Sequence, residues 1–193
     1  MKLRYLTDFI NMFKFPVYLL VMGNLKRKTL VEADASRWGK QGIFQLFDLL
    51  IHERNFASTF CYRCNENVFL RKTCELLFRP NRNIEINTKQ IGGGLIIYHN
   101  YGCVISAEQI GINCTVSQGV TIGFGGKGDG TEKKPIIGNN VRIATNSVVI
   151  GGICVGDNAV IGAGSVVTKT VPSNAIVVGN PQKIIKYIGE SYE

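Results

Sequence analysis

The sequence predicts a mainly β protein, a parallel β-helix of hexapeptide repeats preceded by an α-helical segment. Three observations carry that prediction. Aliphatic residues recur every six positions: Ile110, Val116 and Ile122, then, after a gap, Ile137, Ile143, Val149, Val155, Ile161 and Val167. The following residue is usually Gly or Ala, as at Gly111, Gly123, Gly138, Ala144, Gly156 and Gly162, and a small or apolar residue stands two positions before, as at Cys114, Val120, Val141, Ser147, Ile153, Ala159 and Ser165. From Val31 to Phe78, in contrast, the apolar spacing is helical. Residues i and i+2 of a strand share a face, so each six-residue unit reads as a short strand with two inward side chains and then a tight corner. A β-sandwich also alternates, but nothing in it holds a period of six through successive units. Three such strands make one triangular coil of about eighteen residues, and coils stack at ~4.8 Å.

Taken in order, residues 1–80 form an N-terminal helical region. It opens with an apolar run interrupted by Pro16, followed by the basic cluster Lys26-Arg27-Lys28. A helix is expected to begin within Asp34–Trp38, with Gly42 breaking it. Phe44, Leu46, Phe47, Leu49, Leu50 and Ile51 make a second apolar helix, and Phe56 to Phe78 one more helix or a pair, ended by Pro80. Residues 81–172 form the β-helix, whose repeat begins near residue 84. Ile91 and Ile97 are in register, and Val104 resumes it after one extra residue that falls beside His99. The stretch between Ile122 and Ile137 is too long for a corner, so 124–135 protrudes as a Gly- and Lys-rich loop. Its Gly123–Gly128 formally matches G-x-G-x-x-G, but no helix follows to receive a pyrophosphate. Residues 173–193 form a C-terminal cap, with a terminal helix expected from Pro181.

The formal charge is +8, and residues 1–80 hold 13 Lys+Arg against 7 Asp+Glu while the remainder holds 9 against 7. The basic excess reads as a solvated helical face. No nucleic-acid motif accompanies it. The run Phe15–Met22 is too short to span a bilayer and no signal-peptide cleavage site follows it, although residues 9–22 offer a peripheral membrane contact. The six cysteines fall on helix and coil positions and read as reduced thiols of a cytoplasmic protein. Cys61-x-x-Cys64 with Cys74 and His52 is a single loose pair rather than a zinc framework, so no metal is expected.

Three stretches now carry a resemblance. Ile161-Gly162-Ala163-Gly164-Ser165-Val166-Val167 and Gly179-Asn180-Pro181-Gln182-Lys183-Ile184-Ile185 resemble the closing segments of hexapeptide-repeat acetyltransferases. Ile91-Gly92-Gly93-Gly94 through His99, Gly102-Cys103-Val104-Ile105 and Gln118-Gly119-Val120-Thr121-Ile122-Gly123 are similar to the serine acetyltransferase branch. The helical part, with Glu32-Ala33-Asp34, Arg37-Trp38 and Arg54-Asn55-Phe56, resembles the shorter capsule and exopolysaccharide O-acetyltransferases. The resemblance implies a left-handed β-helix, a homotrimer with sites between subunits, and acetyl-CoA as donor. It places His99 on the catalytic base. A hydroxyl is a poor nucleophile until a base takes its proton, and histidine as a residue type does this near neutrality. For coenzyme A the resemblance points to Gly123, Thr145 and Ala163 along the coil, and to Lys183 for a phosphate.

The departures concern the acceptor. Serine acetyltransferases carry Asp directly before the catalytic His, where this chain has Tyr98. They carry another Asp fifteen residues before it, where this chain has Ile84 beside Glu85, and a second His in the loop, where Lys134 precedes Pro135. Tyr98, Glu85 and Lys134 are therefore the expected acceptor-binding residues. The expected acceptor is a free or lipid-linked sugar hydroxyl of surface polysaccharide biosynthesis, with serine as the alternative. A non-catalytic CoA-binding or scaffold trimer is the alternative of another class. A hexapeptide carbonic anhydrase would need three histidines on the coil, which has His99 alone.

Overall fold

Pro16 opens a helix instead of interrupting one. In the computed structural model, which describes residues 11–99, 101–125 and 133–189, α1 spans Phe15–Asn24 with the proline in its first turn. There a missing N–H forfeits no intrahelical bond. α2 (Lys28–Ser36), α3 (Gly42–His52), α4 (Arg54–Arg63) and α5 (Val68–Phe78) follow. Asp34, expected at a helix start, lies in the last turn of α2; Val31 and Ala35, one turn apart and both buried, carry that helix further towards the N-terminus. The segment from Phe56 to Phe78 divides in two because Asn67 caps α5. Its side-chain oxygen accepts from the backbone N–H of Phe69 and Leu70 at 3.0 and 3.1 Å.

These helices share one core, centred on Tyr18, Val21, Leu50, Phe56, Phe60 and Phe78. Within it Arg63 donates through Nε and Nη2 to the two oxygens of Asp34, at 2.8 and 3.0 Å. Both partners are almost fully buried, so this bidentate pair ties α2 to α4 in a low-dielectric setting. Cys61, Cys64 and Cys74 are free and buried in the same core, the sulfurs of Cys64 and Cys74 lying 3.7 Å apart. The chain divides into two compact units, Met1–Pro80 and Asn81–Glu193.

The second unit is a three-sided parallel β-helix. Its first face stacks β1 (Ile84–Ile86), β4 (Cys103–Ile105), β7 (Thr121–Gly123), β10 (Val148–Ile150) and β13 (Val166–Val167). Its second stacks β2 (Gln90–Ile91), β5 (Gln109–Ile110), β8 (Ile136–Ile137) and β11 (Cys154–Val155). The third stacks β3 (Ile96–Ile97), β6 (Thr115–Val116), β9 (Arg142–Ile143), β12 (Val160–Ile161) and β14 (Ala175–Val178), with β15 (Lys183–Tyr187) at its edge. Register pairing sets the six-period aliphatics in three inner columns, for example Ile105, Ile122, Val149 and Val167 on the first face. Every member of that column is buried. The smaller residue two positions before completes the interior. Ser147 and Ser165 are tolerated there because each hydroxyl donates to the Gly162 carbonyl, at 3.0 and 2.6 Å.

Two expectations are corrected. The inward register after Ile97 resumes at Ile105, which is fully buried and pairs with Ile122, while Val104 faces outward. The terminal helix expected from Pro181 is instead β15, antiparallel to β14 with Val178 opposite Lys183 and Ala175 opposite Tyr187. Ile184 and Ile185 are β-branched, and the edge of β14 offers unpaired backbone groups that a strand satisfies and a helix does not.

The corners explain how a chain of L-residues turns three times per coil. Between the second and third faces, Asn113, Asn140, Asn158 and Asn174 all adopt left-handed backbone, at φ of 57°, 56°, 60° and 63°. Asparagine tolerates that region better than most residues. The amides then stack: Asn140 donates to Asn158 at 3.0 Å, and Asn158 to Asn174 at 2.9 Å.

Candidate active site

The corners between the third and first faces form a second column, and His99 stands in its one enlarged member. Ile97 pairs with Val116 and Val104 with Thr121, so six residues cross the first corner where four cross the next. The slip beside His99 is therefore two residues rather than one. His99 takes up the extra length in left-handed backbone at φ 48°, a region histidine enters more readily than bulky residues do. The backbone N–H of Tyr101 donates to the His99 carbonyl and closes this turn. On its flanks Tyr98 donates to the Val116 carbonyl at 2.8 Å, Gly119 to that of Tyr101 at 2.9 Å, and Gly102 to that of Asn83 at 2.8 Å. His99 itself is exposed on this pinned turn. An exposed imidazole on fixed backbone can exchange a proton with a bound hydroxyl.

The same column continues downward. Asn146 donates to the Gln118 carbonyl at 3.0 Å and Gly164 to the Thr145 carbonyl at 2.9 Å. Thr145 and Ala163 thus lie on the His99 corner, two and three coils away. Their small side chains leave coil backbone accessible to an extended ligand. Gly123 does not share this corner. It ends β7 at the far side of the first face, where its carbonyl accepts from Gly151 at 3.2 Å.

At that other corner the inserted loop leaves the coil. Its neck is an antiparallel bridge between Gly125 and Lys133, and the ammonium of Lys134 sits 5.0 Å above the Phe124 ring. The neck rests on glycines. A Cβ on Gly125 would lie 2.8 Å from the Gly151 Cα, and one on Gly152 would lie 2.6 Å from the Lys133 Cβ. Residues 126–132, which include the second half of the formal G-x-G-x-x-G match, lie outside the described residues.

Glu85 occupies β1 opposite Val104, and its carboxylate accepts from the Asn87 side chain, at the end of β1 away from the His99 turn. Lys183 begins β15 and is exposed. The residue before it, Gln182, was given no role from the sequence. Its side-chain oxygen accepts from the backbone of Thr168 and Lys169 at 2.8 and 2.9 Å, and its nitrogen donates to the Lys169 carbonyl at 3.1 Å. Tyr101 was also missed; the signal for it was an aromatic in a solvent-facing corner otherwise built of small residues. Among the described residues no group of three or more His, Cys, Asp or Glu could hold a metal ion. No helix among them is long and apolar enough to cross a membrane.

Comparison with known proteins bears on this arrangement. Residues 134–169 match the family model described as bacterial transferase hexapeptide (six repeats). The chain is 34% identical over 147 residues to the serine acetyltransferase of Helicobacter pylori, covering 72% of this chain and 85% of that one. It is 48% identical over 101 residues to the serine acetyltransferase of Staphylococcus xylosus, covering 52% of this chain and 46% of that one. The chain spans less than half the length of some of these curated relatives. The crystal structure of Neisseria gonorrhoeae serine acetyltransferase superposes with a TM-score of 0.68 at 28% identity, over 91% of this chain and 71% of that one.

These relatives overturn the expectation of a saccharide acceptor and of a place in polysaccharide biosynthesis, since they are serine acetyltransferases at 34–48% identity. The expectation rested on which side chains stand at positions 84, 98 and 134. Acceptor choice is a property of a whole pocket, and an ammonium or carboxylate can be met by other groups than the acids and imidazole looked for there.

Proposed function

We propose that this chain, which belongs to the serine acetyltransferase branch of the left-handed β-helical hexapeptide transferases, is an acetyl-CoA-dependent serine O-acetyltransferase. The observation that carries this reading is the match along 85% of the Helicobacter pylori enzyme. His99 takes the proton of the serine hydroxyl as the oxygen attacks the thioester carbonyl carbon. A C–O bond forms, and the tetrahedral oxyanion, held by backbone N–H groups, collapses with cleavage of the C–S bond. The imidazolium then returns its proton to the departing thiolate, giving O-acetylserine and coenzyme A. Thr145 and Ala163 line the run taken by the pantetheine arm, and Lys183 meets a phosphate of the donor. Gln182, through its three bonds to Thr168 and Lys169, holds the backbone from which Lys183 projects. Lys134, poised over Phe124, offers a cation to the acceptor carboxylate.

The working form is a homotrimer in which neighbouring copies complete the cleft. A cytoplasmic setting suits both substrates and the cysteines, which form no disulfide among the described residues. The test is thiol release from acetyl-CoA with serine as acceptor, alongside a mass measurement of the assembly. Serine turnover with kcat/KM in the ordinary enzyme range, ~10⁴ M⁻¹s⁻¹ or above, is expected. His99→Ala should lower kcat by ~10²–10⁴-fold, the usual contribution of a positioned base, with the trimer intact. Wild-type turnover in His99→Ala would remove the general-base mechanism; no serine-dependent release from the unaltered protein would remove the acceptor.

A further inference from the structure

The His99 turn is flanked by two aromatic side chains, Tyr98 at 42% exposure and Tyr101 at 68%. The corners stacked beneath it carry Gln118-Gly119, Thr145-Asn146 and Ala163-Gly164, so the aromatics belong to the enlarged corner and not to the repeat. Their backbone is fixed. Tyr98 donates to Val116, while Tyr101 donates to His99 and accepts from Gly119. Two partly exposed tyrosines thus stand on hydrogen-bonded backbone, one before and one after His99 in the turn. Large apolar side chains kept in water at a pinned position point to a ligand or a partner.

The chemistry of the acceptor selects between these. Serine brings a hydroxyl, a carboxylate and an ammonium within one small molecule. Of the carboxylates nearest in sequence to the enlarged corner, Glu108 lies beyond the far end of β4 and that of Glu85 is engaged by Asn87. A tyrosine ring presents a negative face that attracts an ammonium, more strongly as water is excluded. We propose that Tyr98 and Tyr101 bracket the ammonium group of the amino-acid acceptor with their ring faces, and so set the preference of the site for a 2-amino-3-hydroxy acid over the same acid without its amine. This rests on the serine reading and adds to it the group that recognises the cation.

The test compares kcat/KM for serine and for 3-hydroxypropanoate, which lacks only the ammonium, in the full chain with acetyl-CoA saturating. The variants are Phe, Leu and Trp at each of positions 98 and 101, with the assembly mass of each recorded. Phenylalanine keeps the ring face and should hold the serine preference to within about 2-fold. Leucine keeps bulk without the face and should lower it by ~3–30-fold, mostly through KM for serine; tryptophan, the strongest cation binder, should keep or raise it. An unchanged preference in the Tyr98→Leu/Tyr101→Leu double variant overturns the proposal. So does an equal loss on both acceptors, which would make the rings packing for a neighbouring copy. If the leucine variants fail to assemble, the order Trp, Tyr, Phe decides, and a preference that does not follow ring-face strength is fatal to it. An unaltered protein inactive on serine sinks the serine reading and this one together, whereas an active one with an indifferent bracket sinks this one alone.

Discussion

A single carboxylate, Asp34, shows how much of the helical unit hangs on one contact. It lies in the core with Arg63 and accepts from two of its guanidinium nitrogens, Nε and Nη2. Asp34→Ala would strand the Arg63 charge without its partner, and such losses cost about 3–5 kcal/mol. Chemical denaturation should record a loss of that size in the helical transition. The thiols nearby add a dependence on pH. The hydrogen bond from Cys61 and burial push Cys74 up to about 12 from its ordinary 9, and burial pushes Tyr18 up to about 12 from 10. Cys64 is raised too, chiefly by its hydrogen bond with Cys74. For groups raised in the folded state, the stabilisation is whole below the unfolded value and is lost as pH climbs through the folded one. Melting temperature should therefore hold at pH 8 and fall between about pH 9 and 12. A flat profile across that window would show the core titrating as though unfolded. In the sequence the six-residue period made the slip beside His99 visible, and the resemblance gave His99 the role of base. The slip was miscounted because Val104 and Ile105 are both aliphatic and only burial tells which one faces in. Tyr101 was passed over because its corner aligns with the small-residue corners only once the two-residue slip is known.

At the scale of elements, strands were legible and ends were not. A strand two or three residues long has no propensity worth reading, yet the period of six located the coil because each unit must place the same atoms on the same column. Pro16 and Pro181 misled for a shared reason: proline says that a regular element stops or starts, without saying which. The loop neck is the element most open to test. Gly152 is packed against Lys133 so closely that a Cβ would force the neck to move. Gly152→Ala should leave the melting temperature of the coil within a few degrees of the original and reduce turnover by several-fold, measured as thiol release. Full turnover in that variant would mean that the position of Lys134 and its neighbours has no bearing on the reaction.

For the whole molecule, the family was readable in the sequence and the acceptor was not. The repeat, the His99 corner and the Gly179–Ile185 segment all resembled hexapeptide acetyltransferases, and matches to serine acetyltransferases extend over most of the chain. Acceptor choice is a property of a whole pocket, and linear order does not state how separate corners stack. The stack itself makes a firm prediction. Val149 is fully buried in the middle of its column, between Ile122 and Val167. Val149→Asp would place a charge there and forfeit ~1.5–3 kcal/mol of apolar burial. The variant should be recovered unfolded or aggregated, with no coil signal by circular dichroism. A variant as heat-stable as the parent would mean that the columns assigned to the coil interior are wrong.

The column of corners from His99 down to Gly179 also behaves as a measuring rod. Successive corners are joined by backbone hydrogen bonds, at Gly119, Asn146 and Gly164, so their spacing is set by the strand repeat of ~4.8 Å and cannot be tuned continuously. Four steps separate the enlarged corner from the one at Gly179, a span of roughly 19 Å on that spacing. A lineage can alter the distance between its two ends only by whole coils, gaining or losing about eighteen residues at a stroke, as from Ile143 to Ile161. Lengthening a loop changes what surrounds the rod and leaves its graduations untouched. An insertion such as the one after Ile122 leaves the distance between His99 and Lys183 unchanged, and only a whole added or lost coil can alter it.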